Sequence, residues 1–274
     1  MCRMQKRFGI VLTVFTLAFF SLSSAASAAE GSPYISSTLG YDVSFPTRSL
    51  PTRFNFAIFS VTRGKAFKHN ERLNYQYLWA KLGSTSLPTL YMNLNAPYGS
   101  AVAGNISTPK SCSPRVVATS TLSTGSGQVE PTVCEGYNYG YNAARDAYAY
   151  AKSGGVESRL WWLDIEEANS WSNNLLVNDA TIQGAIDYLN TQNIRVGIYS
   201  MPYMWKKIAG STFVPLQTIE GKPVIIPLWL PIGVRSQVSA INTCVTAKGF
   251  ILGSPIWLVQ YEASSTAIDQ NIAC

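Results

Sequence analysis

The run Trp161-Trp162-Leu163-Asp164-Ile165-Glu166-Glu167-Ala168-Asn169-Ser170-Trp171 leaves the chain few ways to fold. Its apolar start suits a parallel strand buried on both faces, and such strands occur where helices cover the sheet. Asp164 and Glu166 are two apart, so strand geometry points both side chains to one side. Glu167-Ala168-Asn169-Ser170 reads as a loop. The acids therefore fall at the carboxyl end of the strand, where α/β barrels and open α/β sheets build their sites. Two carboxylates on one face of a buried strand lose hydration and repel each other, so one is expected to keep its proton above the ordinary range. That pairing suits acid/base chemistry. The plain alternative is an exposed strand end with two solvated acids, or one acid answering a distant arginine. The three flanking tryptophans favour the first reading.

Residues 1–29 read as a secretory signal peptide. Arg3, Lys6 and Arg7 precede an apolar run from Phe8 to Phe20, and Ala26-Ser27-Ala28-Ala29 supplies small residues for cleavage. No other stretch approaches the ~20 apolar residues of a membrane span, so no membrane anchor is expected in the mature chain. Cleavage removes three of 21 basic residues and none of 15 acidic ones, leaving a net charge of +3. No cluster of lysine and arginine remains to argue for nucleic acid, whereas mild positive charge suits an anionic cell wall. The remaining 245 or so residues match one α/β barrel, so residues 30–274 are read as a single domain, expected to be a monomer.

Cys2 leaves with the leader, and Cys112, Cys134, Cys244 and Cys274 remain for an oxidising compartment. Three pairings are open. Proximity favours Cys112 with Cys134 and Cys244 with Cys274. No Cys-x-x-Cys spacing exists, and the single histidine, His69, sits in the polar run Lys68-His69-Asn70-Glu71-Arg72, so no metal site is expected. Neither a nucleotide-binding glycine loop nor a nucleophile elbow is present, and no cofactor is expected.

Read in order, residues 39–44, 54–62, 90–94, the run through Glu166, 194–199, 224–230, 256–261 and 267–272 have the composition of strands. Helical spacing covers 70–82, 136–152, 179–190, 204–209 and 236–248. The alternation predicts an irregular TIM-type (β/α) barrel, with the last two strands too close for a helical crossover, so that end of the barrel is expected to be irregular or locally antiparallel. Residues 95–135, rich in Gly, Ser, Thr and Pro, form an insertion stapled by Cys112 and Cys134. It carries the formal glycosylation acceptor Asn105-Ile106-Ser107.

In such a barrel Asp42, Asp164, Glu166 and Asp269 converge at one mouth, the first and last strands being neighbours. Tyr41, Tyr91, Tyr199, Trp229, Gln260 and Tyr261 fall at the same strand ends. Aromatic faces with a few fixed polar groups are what a pyranose ring binds. Ordinary barrel packing is the alternative for each aromatic alone.

The blocks Gly40-Tyr41-Asp42-Val43-Ser44, Leu163-Asp164-Ile165-Glu166, Gly197-Ile198-Tyr199-Ser200, Pro227-Leu228-Trp229-Leu230, Trp257-Leu258-Val259-Gln260-Tyr261 and Ile268-Asp269-Gln270-Asn271 resemble, in order and spacing, the family 25 glycoside hydrolases. These are lysozyme-like muramidases. The resemblance implies an irregular β/α barrel that cleaves the β-1,4 bond after N-acetylmuramic acid in peptidoglycan. It implies Glu166 as general acid, Asp164 as the group that stabilises positive charge or orients the acetamido substituent, and Asp42 and Asp269 as groups that fix the sugar and tune the pair.

Two segments depart from the family pattern. Ser60-Val61-Thr62-Arg63 stands where the family usually carries Lys-Ala-Thr-Glu, and Tyr91-Met92-Asn93 where it carries a Tyr-His pair. The insertion is expected over the mouth. The favoured reading is a secreted glycoside hydrolase acting on peptidoglycan or a related acetamido-sugar polymer, with a cell-wall glycan as partner. The alternatives are a non-catalytic carbohydrate-binding protein on the same barrel, and an exported interaction protein that uses its 95–135 loop.

Overall fold

The computed structural model describes residues 31–44, 50–97, 106–113, 130–264 and 268–274. The expected leader and Asn105 lie outside them. The elements are β1 (Leu39–Val43), β2 (Phe56–Ser60), α1 (Leu73–Gly83), β3 (Thr89–Asn93), α2 (Val133–Ser153), β4 (Leu160–Asp164), α3 (Leu175–Thr191) and β5 (Arg195–Tyr199). There follow α4 (Pro202–Ala209), β6 (Gln217–Ile219), β7 (Lys222–Val224), β8 (Leu228–Val234), α5 (Gln237–Thr246), β9 (Ile256–Glu262) and β10 (Gln270–Ala273). A closed barrel runs β1-β10-β9-β8-β5-β4-β3-β2. β10 is antiparallel to both β1 and β9, while the other barrel pairs are parallel. The irregular barrel and its antiparallel last strand agree with the sequence reading.

Period-two alternation divides the core in two. Phe56, Ile58, Tyr91, Leu160, Trp162, Trp229 and Trp257 fill the lumen. Ala57, Phe59, Leu90, Met92, Trp161 and Leu163 face outward and pack with the buried faces of the helices. The lumen needs glycine where rings cross it. A Cβ on Gly197 would stand 2.3 Å from the Trp162 ring, so β4 carries its indole only because β5 is bare opposite it. Below, the Trp162 indole N–H donates to the Tyr34 hydroxyl at 3.1 Å, and that hydroxyl bonds Thr89 Oγ1 at 2.8 Å. The floor of the barrel is thereby closed.

Several boundaries differ from the sequence reading. α2 begins at Val133 rather than 136, because Thr132 and Glu135 form a reciprocal capping box whose signature stands in the sequence. Asn174 caps α3, which starts at Leu175 rather than 179. The stretch 224–230 is not one strand: Val224 ends the small β6–β7 hairpin, and β8 runs from Leu228 past Pro231 to Val234. Proline is tolerated there because the register against β9 shifts between Pro231 and Val234.

The cysteines pair as proximity favours. Cys112–Cys134 closes part of the insertion, and Cys244–Cys274 ties the strand β10 to α5. The described part of the insertion lies along α2 rather than over the mouth. Asn138 donates to the carbonyls of Ile106 and Lys110, both at 2.8 Å, and Asn142 donates to that of Thr108 at 2.7 Å. None of residues 106–113 or 130–135 lines the cavity at the mouth.

Candidate active site

A cavity of about 340 Å³ opens at the carboxyl ends of the strands, and all four predicted carboxylates line it: Asp42, Asp164, Glu166 and Asp269. Tyr91, Tyr199, Trp229 and Gln260 line it too. Tyr41 and Tyr261 do not. Strand alternation turns each outward when its neighbour, Asp42 or Gln260, faces the lumen. Tyr41 packs edge-on against Phe54, and the Tyr261 hydroxyl donates to Gln270 Oε1 at 2.5 Å. Sequence reasoning had placed both partners of each pair at the site.

Asp42 is buried and sits opposite Asp269 across the β1–β10 seam, its backbone N–H donating to the Asp269 carbonyl at 3.1 Å. Three amide contacts converge on its carboxylate. Gln260 Nε2 reaches both oxygens at 3.1 Å, and Asn271 Nδ2 reaches Oδ1 at 2.7 Å. Those amides are themselves oriented. The Tyr199 hydroxyl donates to Gln260 Oε1 at 2.9 Å, and the Trp229 indole donates to Asn271 Oδ1 at 2.7 Å, which leaves only the NH2 ends for Asp42. Burial and the charge of Asp269 nevertheless push the Asp42 pKa up to about 7, against the amide donors that lower it. Burial, then Glu262 and Glu166, pushes Asp269 up to about 6.

Asp164 closes β4 and is buried beside Asn93, its partner in the β3–β4 register. Asn93 Nδ2 donates to Asp164 Oδ2. The amide cannot turn the other way, because Thr62 Oγ1 donates to Asn93 Oδ1 at 2.8 Å while accepting from the Asn93 backbone N–H at 2.8 Å. Asp164 Oδ1 has no hydrogen-bond partner among the described residues. Burial foremost, then Glu166 and Asp42, raises the Asp164 pKa well above the carboxylate range.

Glu166 lies two residues past the end of β4 and is half-buried. Its backbone is pinned at the carbonyl, which accepts from the Trp171 indole at 2.7 Å and from the Asn169 backbone N–H at 3.2 Å. Burial raises its pKa as well. Both acids thus hold protons more tightly than free carboxylates do, where their placement in the sequence led us to expect it of one.

The sequence reading missed Asn93, Lys65, Asn169 and Asn271. Asn93 carried a usable signal, since it is two residues from Tyr91 on the same strand and ends its strand as Asp164 ends the next. Asn271 stands two residues from Asp269, on the seam that only barrel closure brings to Asp42. Arg63, which occupies the place of the family's acid, points to the surface and pairs with Glu71 at 3.6 Å. Lys65 instead contributes the cation of the lining. Among the described residues no group of three His, Cys, Asp or Glu side chains is arranged to hold a metal ion.

The structure is a closed, irregular β/α barrel with an antiparallel last strand and carboxylates gathered at its carboxyl mouth. The chain has the fold of a muramidase from Acremonium alcalophilum, with 15% identity, a TM-score of 0.52, and coverage of 86% of this chain and 93% of that one. The catalytic domain of the endolysin ply40 from bacteriophage P40 of Listeria monocytogenes is also similar, at 16% identity, TM-score 0.48, and 86% and 92% coverage. So is GHIP, a glycosyl hydrolase 25 of Streptococcus pneumoniae, at 15% identity, TM-score 0.46, and 86% coverage of each chain. A family model described as Lysozyme-like protein 1 matches residues 118–221. No curated protein sequence matches the chain. The fold implied by the sequence blocks is therefore the one observed, and the lysozyme-like family model covers the segment that carries Asp164 and Glu166.

Proposed function

We propose that the chain is a glycoside hydrolase that cleaves β-1,4 bonds in peptidoglycan or a related acetamido-sugar polymer outside the cytoplasm. The observation that carries this reading is the pairing of a half-buried, proton-holding Glu166 with a buried Asp164 at the mouth of one cavity. Glu166 reaches solvent and substrate, so it is the group to protonate the glycosidic oxygen. Asp164 lies deeper, held at Oδ2 by Asn93 and free at Oδ1. On ionising, Asp164 offers that oxygen to an acetamido N–H or to the positive charge that develops on the sugar ring.

Tyr199 supplies a ring face for the pyranose with Tyr91 and Trp229 packed behind it, while Asp42 and Asp269 fix its hydroxyls. The muramidase among the similar structures supports a wall glycan as the substrate class. Export rests on the leader-like residues 1–29 and agrees with two disulfides. No helix of the described residues is long and apolar enough to cross a membrane.

One observation favours a second reading, a carbohydrate-binding protein without turnover. Arg63, in the position of the family's acid, faces away from the cavity. Reducing-end release from purified peptidoglycan and from chitin oligosaccharides, with Glu166→Gln run alongside, separates the two. Release that disappears in Glu166→Gln while binding persists supports the hydrolase. Release unchanged in that variant removes Glu166 from the mechanism. Retention on the polymer without release from the wild type favours the binding protein.

A further inference from the structure

Helix α1 carries apolar residues on both of its sides. Leu73, Gln76 and Ala80 are buried on the side that covers the barrel. Tyr75, Leu78 and Leu82 recur at i, i+3 and i+7, which is one narrow stripe on the opposite side, and they are 56%, 60% and 88% exposed. Leu87, in the turn that follows, is exposed too. The longest helix, α2, presents Arg145, Ala149 and Lys152 to solvent instead. A single exposed leucine is ordinary, whereas a contiguous apolar stripe marks a contact surface.

The charge around the stripe narrows the partner. Residues 51–88 hold Arg53, Arg63, Lys65, Lys68, Arg72 and Lys81, six bases against the one acid Glu71, a net charge of +5. The rest of residues 30–274 holds 12 bases and 14 acids, so the whole basic excess of the chain without its leader resides here. Helical spacing sets Lys81 and Arg72 on the two flanks of the stripe. The segment carrying Arg53 lies against the same helix, where the Trp79 indole donates to the Pro51 carbonyl at 2.7 Å and Phe54 packs on Trp79 with ring centroids 4.7 Å apart. Leucine and tyrosine between basic flanks suit the interface of an anionic bilayer, since the apolar side chains enter the boundary of headgroups and acyl chains while the cations meet the phosphates. A soluble polyanion would leave the leucines nothing to bury against. A second copy of the chain would set +5 against +5.

We infer that the outer face of α1 is a peripheral docking surface for a bilayer rich in anionic phospholipid. It lies in the interface and does not span, for no helix of the described residues is long and apolar enough to cross a membrane. The helix begins after the loop that brings Gly64 and Lys65 to the cavity and runs down the outside of the barrel, so docking on its outer face leaves the mouth uncovered. The inference does not depend on the hydrolase reading.

The test is co-sedimentation of the chain lacking residues 1–29 with two kinds of vesicle, pure phosphatidylcholine and phosphatidylcholine with about one-third phosphatidylglycerol, at about 0.1 M salt. Binding to the anionic vesicles is expected to be at least tenfold tighter than to the neutral ones. Leu78→Ser with Leu82→Ser is expected to weaken it at least tenfold, and Arg72→Gln with Lys81→Gln by about tenfold or more. Val238→Ser with Val245→Ser, which strips exposed apolar side chains from α5, is expected to leave it unchanged. All six positions are exposed, and an unchanged Tm certifies the fold of each variant. The inference is overturned by no binding to anionic vesicles, by equal binding to both kinds, or by equal loss in the α5 variant. Loss in the Arg72 and Lys81 variant with none in the leucine variant, the pattern of capture by a polyanion, overturns it as well.

Discussion

Asp42→Asn tests the electrostatics of the site through stability. Asp42 has an ordinary pKa of 3.8 when unfolded and about 7 in the fold, a difference worth roughly 4 kcal/mol for one buried group. The sign follows from the direction. The folded state binds the proton more tightly, so this stabilisation is complete below about pH 4 and is lost as pH rises through about 7. Asparagine keeps the shape and removes the titration. It also turns one amide end toward the donors of Gln260 and Asn271, a cost of about 1–3 kcal/mol that is the same at every pH. The quantity to measure is therefore the difference in unfolding free energy between variant and wild type, from urea unfolding followed by tryptophan fluorescence at pH 4, 6 and 8. Between pH 4 and 8 that difference should move by roughly 4 kcal/mol in favour of the variant. Curves for the two proteins that stay parallel across this range would refute the claim that Asp42 is protonated in the fold.

Four further outcomes are expected. Glu166→Gln should lower kcat by about 10²–10⁴-fold with saccharide affinity retained, as expected for loss of a general acid, and equilibrium binding beside turnover checks it. Asn93→Ala removes the donor that lowers the Asp164 pKa, so the limb of the pH–rate profile set by Asp164 ionisation should move to higher pH; an unshifted limb counts against the Asn93–Asp164 contact. Gly197→Ala places a methyl 2.3 Å from the Trp162 ring and should cost about 1–3 kcal/mol in chemical unfolding, with no loss if the ring is free to move aside. Replacing Cys244 and Cys274 by serine opens a loop spanning 30 residues and should cost about 3 kcal/mol, read as a Tm lowered relative to the oxidised wild type.

The four carboxylates of the cavity were legible because strand ends, acid spacing and chain order are local properties, and a barrel brings strand ends to one mouth whatever its details. By position alone, Asp164 and Glu166 announced that one of them would hold its proton. The capping box at Thr132 and Glu135 was equally local, and it stood in the sequence although the helix had been read as starting later. Tyr41 and Tyr261 show the limit of counting strand ends. Alternation forbids adjacent residues from sharing the lumen, and which of the two faces inward depends on the phase of the strand within the closed sheet.

Sequence by itself determined the alternation of the barrel strands and helices, the parallel barrel with an irregular closure and the carboxylates at the mouth, and it favoured the cysteine pairs nearest in the chain, since each follows from periodicity or spacing along a few residues. Tertiary structure alone decided the rest. It set Asn271 and Gln260 on Asp42 and Asn93 on Asp164, and it laid the described part of the insertion along α2. Those contacts join residues up to 229 positions apart, as Asn271 and Asp42 are. Closing the barrel fixes their distances, and burial within it raises the proton affinity of acids that would be ordinary in an open chain.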